Sequence, residues 1–171
     1  EKIKDGIKSM SNAIGLGDDV QDFKVLNLES TRQPLVVEFT VTKTGLFKWT
    51  ATGAELALPF QQLTFPQRTE AEWKDKTRAK LGPPATFTLR ASLELPAGFT
   101  PTLPIGINVV REGYSFMSSY RYDGRTVEAE RTFRSMKSEV PASAASEYLA
   151  FTRAVRADEE QHLALCRRQC P

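Results

Sequence analysis

Apolar and polar positions divide this chain into a helical opening, a long stretch of period two and a helical close. In EKIKDGIKSMSNAIG, Ile3, Ile7, Met10 and Ile14 recur at helical spacing with lysines on the other face. Gly15 follows as a stop, and together they predict a short amphipathic helix. From Val20 the period changes. Phe23, Val25 and Leu26 begin a β-like segment, residues 30–34 supply a loop, and Leu35, Val37, Phe39 and Val41 alternate with polar neighbours as a half-buried strand does. Thr44-Gly45 turns the chain into LFKWTAT, and residues 55–60 form another short apolar run. Residues 66–82 read two ways. Thr69-x-x-Glu72 is a capping-box pattern and Gly82 a helix stop, yet only Trp73 and Leu81 are large apolar anchors, so helix and loop both stay open.

Beyond Pro83-Pro84, alternation resumes: Phe87, Leu89, Ala91, Leu93 and Leu95 point one way and Thr88, Arg90, Ser92 and Glu94 the other, which predicts a central strand. Residues 96–104 read as a Pro/Gly-rich connection and residues 105–110 as a short β-branched segment. GYSFMSSYRYD and TVEAERTFRSMKS then flank Asp123-Gly124, the strongest short-range hairpin signal. With a two-residue loop, Tyr122 pairs with Arg125, Tyr120 with Val127, Ser118 with Ala129 and Tyr114 with Phe133, while Phe116 meets Arg131 in a stacking contact. Ser119, Met117, Glu128 and Glu130 form the wetter face. A one-residue slip inverts the faces. After Pro141, Tyr148, Phe151, Thr152 and Val155 make a buried helical stripe. Ser143 is available as a cap, and Arg153, Arg156, Asp158 and Glu159 take the solvent side. Residues 162–165 return to alternation as a last edge strand.

Composition narrows the function classes. At 171 residues the chain suffices for one domain or two very small ones, and a net charge of +2 with both signs interspersed gives no electrostatic footprint for nucleic acid. No stretch approaches the ~20 apolar residues of a helical membrane span. The sequence starts at Glu1 and not at Met, which reads as a processed form or an excised fragment. The two cysteines, Cys166 and Cys170, close too small a loop to stabilise the fold appreciably. His162, Cys166 and Cys170 lie four apart, but on a helix eight residues span about 12 Å, too far for three ligands to share one ion. His162 beside Cys166 lacks the Gly-rich turn and oxyanion donors of a nucleophilic site, and Glu128 with Glu130 reads more simply as a solvated face than as a glycosidase pair. No catalytic, cofactor-binding or metal-binding residue is assigned. Tyr114, Phe116, Tyr120 and Tyr122 share a parity that suits a sugar platform, though packed alternation is the commoner cause. Trp49 and Trp73 are the better candidates for ligand or partner contacts.

LELPAGF (residues 93–99), YSFMSSYRYDGRTVEAERTF (114–133) and VPASAASEYLAFTRAVRADEEQHLAL (140–165) together resemble the C-terminal domain of unknown function that follows the transglutaminase-like core in a group of bacterial proteins. Residues 19–41 are similar to the segment that joins core to domain. The Cys170-Pro171 ending departs from the pattern. The resemblance implies a mostly β, antiparallel β-sandwich-like accessory domain, with an N-terminal helix and a C-terminal amphipathic helix packed on or beside the sheet. It further implies a papain-like cysteine-dependent catalytic domain elsewhere in the same polypeptide, and an exported, periplasmic or envelope setting. The expected organisation is a linker helix at 1–16, the accessory domain at 17–166 and a tail at 167–171. The expected role is non-catalytic: interdomain packing, substrate presentation or partner binding. The alternative is an independent carbohydrate- or peptide-binding sandwich.

Overall fold

A computed structural model describes residues 2–13, 15, 17, 19–30, 32–33, 36–42, 45, 47–58, 62–75 and 78–167. The expectations for Ile14, Leu35, Thr44, Phe60 and Cys170 lie outside these residues. The fold is mostly β and antiparallel, and the chain forms two compact units, Glu1–Lys48 and Trp49–Pro171.

The first unit contains α1 (Lys2–Ala13), β1 (Val20–Leu26) and β2 (Val36–Val41). Ile7 is buried while Ile3 and Met10 stay exposed, so the helical stripe is only partly used. Gly15 closes α1 in the left-handed region, its N–H donating to the Asn12 carbonyl over 3.0 Å. β1 and β2 pair antiparallel with a break in register between Gln21 and Lys24, where Asp22 takes a positive φ.

The second unit runs through β3 (Lys48–Trp49, where the units meet in sequence), β4 (Gly53–Ala57), α2 (Glu70–Lys74), β5 (Ala79–Lys80), β6 (Ala85–Glu94), β7 (Phe99–Thr102) and β8 (Asn108–Arg111). It continues with β9 (Tyr114–Tyr122), β10 (Thr126–Ser135), β11 (Glu139–Val140), a 3₁₀ turn (Ala142–Ala144), α3 (Ala145–Glu159) and β12 (His162–Arg167). One four-stranded sheet has the order β6-β10-β9-β8 and the other β3-β4-β12-β7, with β5 and β11 as a small ribbon. The antiparallel sheets and the C-terminal helix are those expected, and two four-stranded sheets are compatible with the sandwich-like arrangement that the resemblance implies.

β6 is an edge strand, not the central one its alternation predicts. A half-buried edge and a central strand with one wet face share the same period, so the pattern alone cannot separate them. β7 lies inside the stretch whose Pro and Gly content predicts a connection, and its Pro101 is tolerated because β7 is an edge strand. β12 is central and not an edge: Leu163 and Leu165, fully buried, pair with Leu56 and Ala54 of β4, and β7 pairs along its other side. The capping box forms, with Thr69 accepting from the Glu72 N–H over 3.2 Å and Glu72 accepting from the Thr69 N–H over 2.7 Å. The helix it starts ends at Lys74, and Gly82 follows β5 instead of closing it.

The hairpin register is two residues from the predicted one. Tyr122 pairs with Val127, Tyr120 with Ala129, Ser118 with Arg131, Phe116 with Phe133 and Tyr114 with Ser135. The two loop residues are Gly124 and Arg125, closed by the Asp123 N–H to the Thr126 carbonyl. Gly124 takes the positive φ that the first loop position requires, whereas centring the loop on Asp123-Gly124 would demand it of Asp123. Asp123 instead accepts from the Thr126 and Arg125 N–H groups, which hold its carboxyl below the ordinary range. A shift of two preserves the faces, so Tyr114, Phe116, Val127, Ala129 and Phe133 are interior as predicted.

α3 buries Tyr148, Phe151, Thr152 and Val155, the predicted stripe. Phe151 meets Tyr114 edge-on at 4.8 Å and Phe65 at 5.8 Å, and Phe65 meets Phe133 at 5.4 Å. Each such ring contributes roughly 1.5–3 kcal/mol by leaving water. Ser143 does not cap the helix. It lies in the 3₁₀ turn, whose Ala144 N–H is satisfied by the Pro141 carbonyl.

Close backbone approach fixes one glycine. A Cβ on Gly53 would lie 1.9 Å from the Leu165 carbonyl oxygen of β12. Gly53→Ala is therefore expected to force β4 and β12 apart and to destabilise the unit by about 2 kcal/mol or more, measured by chemical denaturation.

Candidate functional site

The most organised polar group in the second unit joins the middle of the sheet to the last turn of α3. Arg131 projects from β10 on the apolar face and Asp158 from α3; they are 4% and 1% exposed, so neither charge has water to fall back on. Arg131 Nε lies 2.8 Å from Asp158 Oδ2, and Arg131 Nη2 donates to the Asp158 carbonyl over 2.7 Å. Ser118 donates to Asp158 Oδ1 over 2.5 Å, and the Tyr120 hydroxyl lies 3.1 Å from each carboxylate oxygen. Gln161 closes the cluster with an Nε2 contact of 3.4 Å to Oδ1.

This corrects two expectations. Asp158 is buried and not on the solvent side: it lies seven residues after Phe151 and three after Val155, on the stripe that faces the sheet. Arg131 stands opposite Ser118 and not Phe116, and it is held by a carboxylate and not by a ring. Glu159, also assigned to solvent, is half-buried, and its Oε1 accepts from the Leu63 N–H over 2.7 Å. Burial pushes its carboxyl above the ordinary carboxylate range, against the opposing pull of the Leu63 N–H. Gln161 brackets the Ile105 backbone, accepting from its N–H over 2.8 Å and donating to its carbonyl over 3.0 Å.

The remaining candidates are dispersed. Glu128 and Glu130 lie on the wet face, where Glu130 is taken by Arg90 Nε at 2.6 Å and Glu128 stands directly opposite Arg121. His162 is exposed and Cys166 is disulfide-bonded. Both lie on β12, so four residues separate them by about 13 Å of strand, and the pair cannot meet one reacting atom or share one ion. Trp73 is interior at 8% exposure, edge-on to Tyr148 at 6.0 Å, because the first turns of α2 fold its ring into the core. Its Nε1 and the Tyr114 hydroxyl are buried without a hydrogen-bond partner among the described residues.

Trp49 is 59% exposed. It meets Phe99 edge-on at 5.6 Å, and Arg167 stacks over the same Phe99 ring at 5.6 Å. No model of a known protein family, no curated protein and no solved structure matches this chain.

What the Arg131 and Asp158 cluster does chemically is to hold position. Its acceptors and donors face one another beneath a helix. Sequence reasoning missed it because a lone Asp in a charged run, Arg153 to Glu160, reads as surface; the helical phase was the signal that could have found it.

Removing one partner strands the other charge. Asp158→Ala is expected to cost about 3–5 kcal/mol by denaturant unfolding, and Arg131→Met with Asp158→Leu to recover most of that loss. Glu159 supplies a pH signature. A carboxyl raised above its ordinary 4.5 in the folded state favours folding below that value, and this contribution is lost as pH rises through the folded pKa. Stability measured from acid upward should therefore decline across that window, and Glu159→Gln, which keeps an acceptor for Leu63, should remove the decline.

Proposed function

We propose that this chain is a non-catalytic accessory domain of a bacterial transglutaminase-like protein. It works with a papain-like catalytic domain of the same polypeptide, through interdomain packing, substrate presentation or partner binding, in an exported, periplasmic or envelope setting. One observation carries the reading: the two buried charges among the described residues, Arg131 and Asp158, form an ion pair that seats α3. A catalytic charge has to face a space that substrate can enter. The succession of LELPAGF strand end, Asp-Gly hairpin and Pro-led helix with Tyr148 and Phe151 supports the family assignment. No helix among the described residues is long and apolar enough to cross a membrane.

The exposure of Trp49 beside Phe99 and Arg167 favours a second reading, a glycan or peptide contact on the β3-β4-β12-β7 sheet. Calorimetric titration separates the two. The chain is expected to bind the catalytic domain of its own polypeptide saturably, and Trp49→Ala is expected to leave that binding intact. Absence of that binding, together with saturable glycan binding that Trp49→Ala abolishes, overturns the first reading in favour of the second.

A further inference from the structure

A sheet edge presents unpaired N–H and C=O groups, and proteins protect their edges by shortness, proline, lysine or a bulge. Three of the four edges of the two four-stranded sheets are protected. β3 has two residues, β8 has four, and β7 has four including Pro101. β6 differs. It is ten residues long, ATFTLRASLE, with neither proline nor lysine, and its register with β10 runs unbroken from Ala85 to Glu94. Its polar-face side chains are open to solvent, and on the apolar face Phe87 is 55% exposed while Leu89, Ala91 and Leu93 are half-buried. An unprotected edge of this length has the hydrogen-bonding capacity for another strand.

The charges on β6 select the occupant. Arg90 and Glu94 lie four residues apart on the polar face, symmetric about Ser92. When two copies of this strand run antiparallel about Ser92, Arg90 of each stands opposite Glu94 of the other, and Ala91 opposite Leu93 on the apolar face. Residues of equal parity meet, so core side joins core side. Within each copy Arg90 already binds Glu130, and Glu94 already binds Arg125. The joined sheets would therefore carry an alternating row: Glu130, Arg90, then Glu94 and Arg125 of the second copy. Centring the pair on Arg90 sets arginine against arginine, and centring it on Leu89 leaves Glu94 beyond the end of the opposing strand. We infer that β6 pairs with β6 of a second copy about Ser92, joining two four-stranded sheets into one continuous sheet in a two-fold symmetric dimer. The overlap is short, so the dimer is a weak one.

Sedimentation of the full chain over a concentration series tests this. A monomer–dimer equilibrium is expected. Ser92→Lys, which brings two lysines together on the dyad, and Arg90→Glu should each weaken it roughly tenfold. Arg90→Glu combined with Glu94→Arg re-forms the pairs between copies but not those with Glu130 and Arg125, so it should recover part of the loss. Asn108→Lys on the opposite edge, β8, should leave it unchanged. These side chains are exposed, so circular dichroism and the melting temperature should stay close to those of the parent chain and confirm that each variant is folded. A chain that stays monomeric at every concentration overturns the inference. So does an association that Asn108→Lys abolishes and Ser92→Lys does not touch, or one that the double charge swap does not recover even in part.

Discussion

Arg131 stands in the middle of the longest hairpin with its guanidinium on the apolar side, where the Asp158 carboxylate balances its charge. Either charge by itself in that interior would cost several kcal/mol, so α3 has to seat its last turn over β10. The consequences spread along the chain. With Asp158 fixed, Gln161 donates its N–H to the Asp158 carbonyl and its side chain holds Ile105, so the helix end, the start of β12 and the approach to β8 are tied at one place. The pair sets position more than it adds stability, since apolar replacements of similar volume often do as well energetically. An apolar pair, however, would not dictate which turn of α3 lies over which residue of β10.

Periodicity made the layers legible, and local chemistry made the turns legible only in part. The interior parity of Tyr114, Phe116, Val127 and Phe133 was readable because moving the register by two residues changes partners and not faces. The partners were not readable, because Asp-Gly fits two loop alignments and only the φ demand on the first loop residue decides between them. Thr69 and Glu72 specified the start of α2 correctly, but nothing local told how short the helix would be. Trp49 and Trp73 show the limit for sites: both are isolated aromatics in polar surroundings, and only tertiary packing leaves one outside and folds the other in. Asp158 was misread for the opposite reason, since its composition argued for the surface while its helical phase argued for the core.

Strand order was the least legible feature. β6 and β12 exchange the roles their patterns imply, because alternation records which faces are wet and carries no information about which edges are paired. The partner of β6 is set by the hairpin that precedes α3, and β12 is placed by where α3 ends. Both depend on connections that a linear pattern does not contain.

Width explains why β6 keeps an open apolar side. Four strands at about 4.8 Å spacing make a layer some 15–19 Å across, while one helix with its side chains covers about 10–12 Å. α3 lies towards β8, where Phe151 reaches Tyr114 and Phe133. The segment bearing Leu63, Phe65 and Pro66 extends that cover, but only as far as the groove of about 310 Å³ that it forms with Leu81, Phe87, Leu89 and Phe133. Phe87 therefore stacks on Phe133 at 6.5 Å and still remains more than half exposed. A second helix, or a wider first one, would have closed the layer. A single helix pinned at Asp158 cannot shift to do so, and the apolar side of β6 is left at the surface by the same ion pair that orders the rest of the unit.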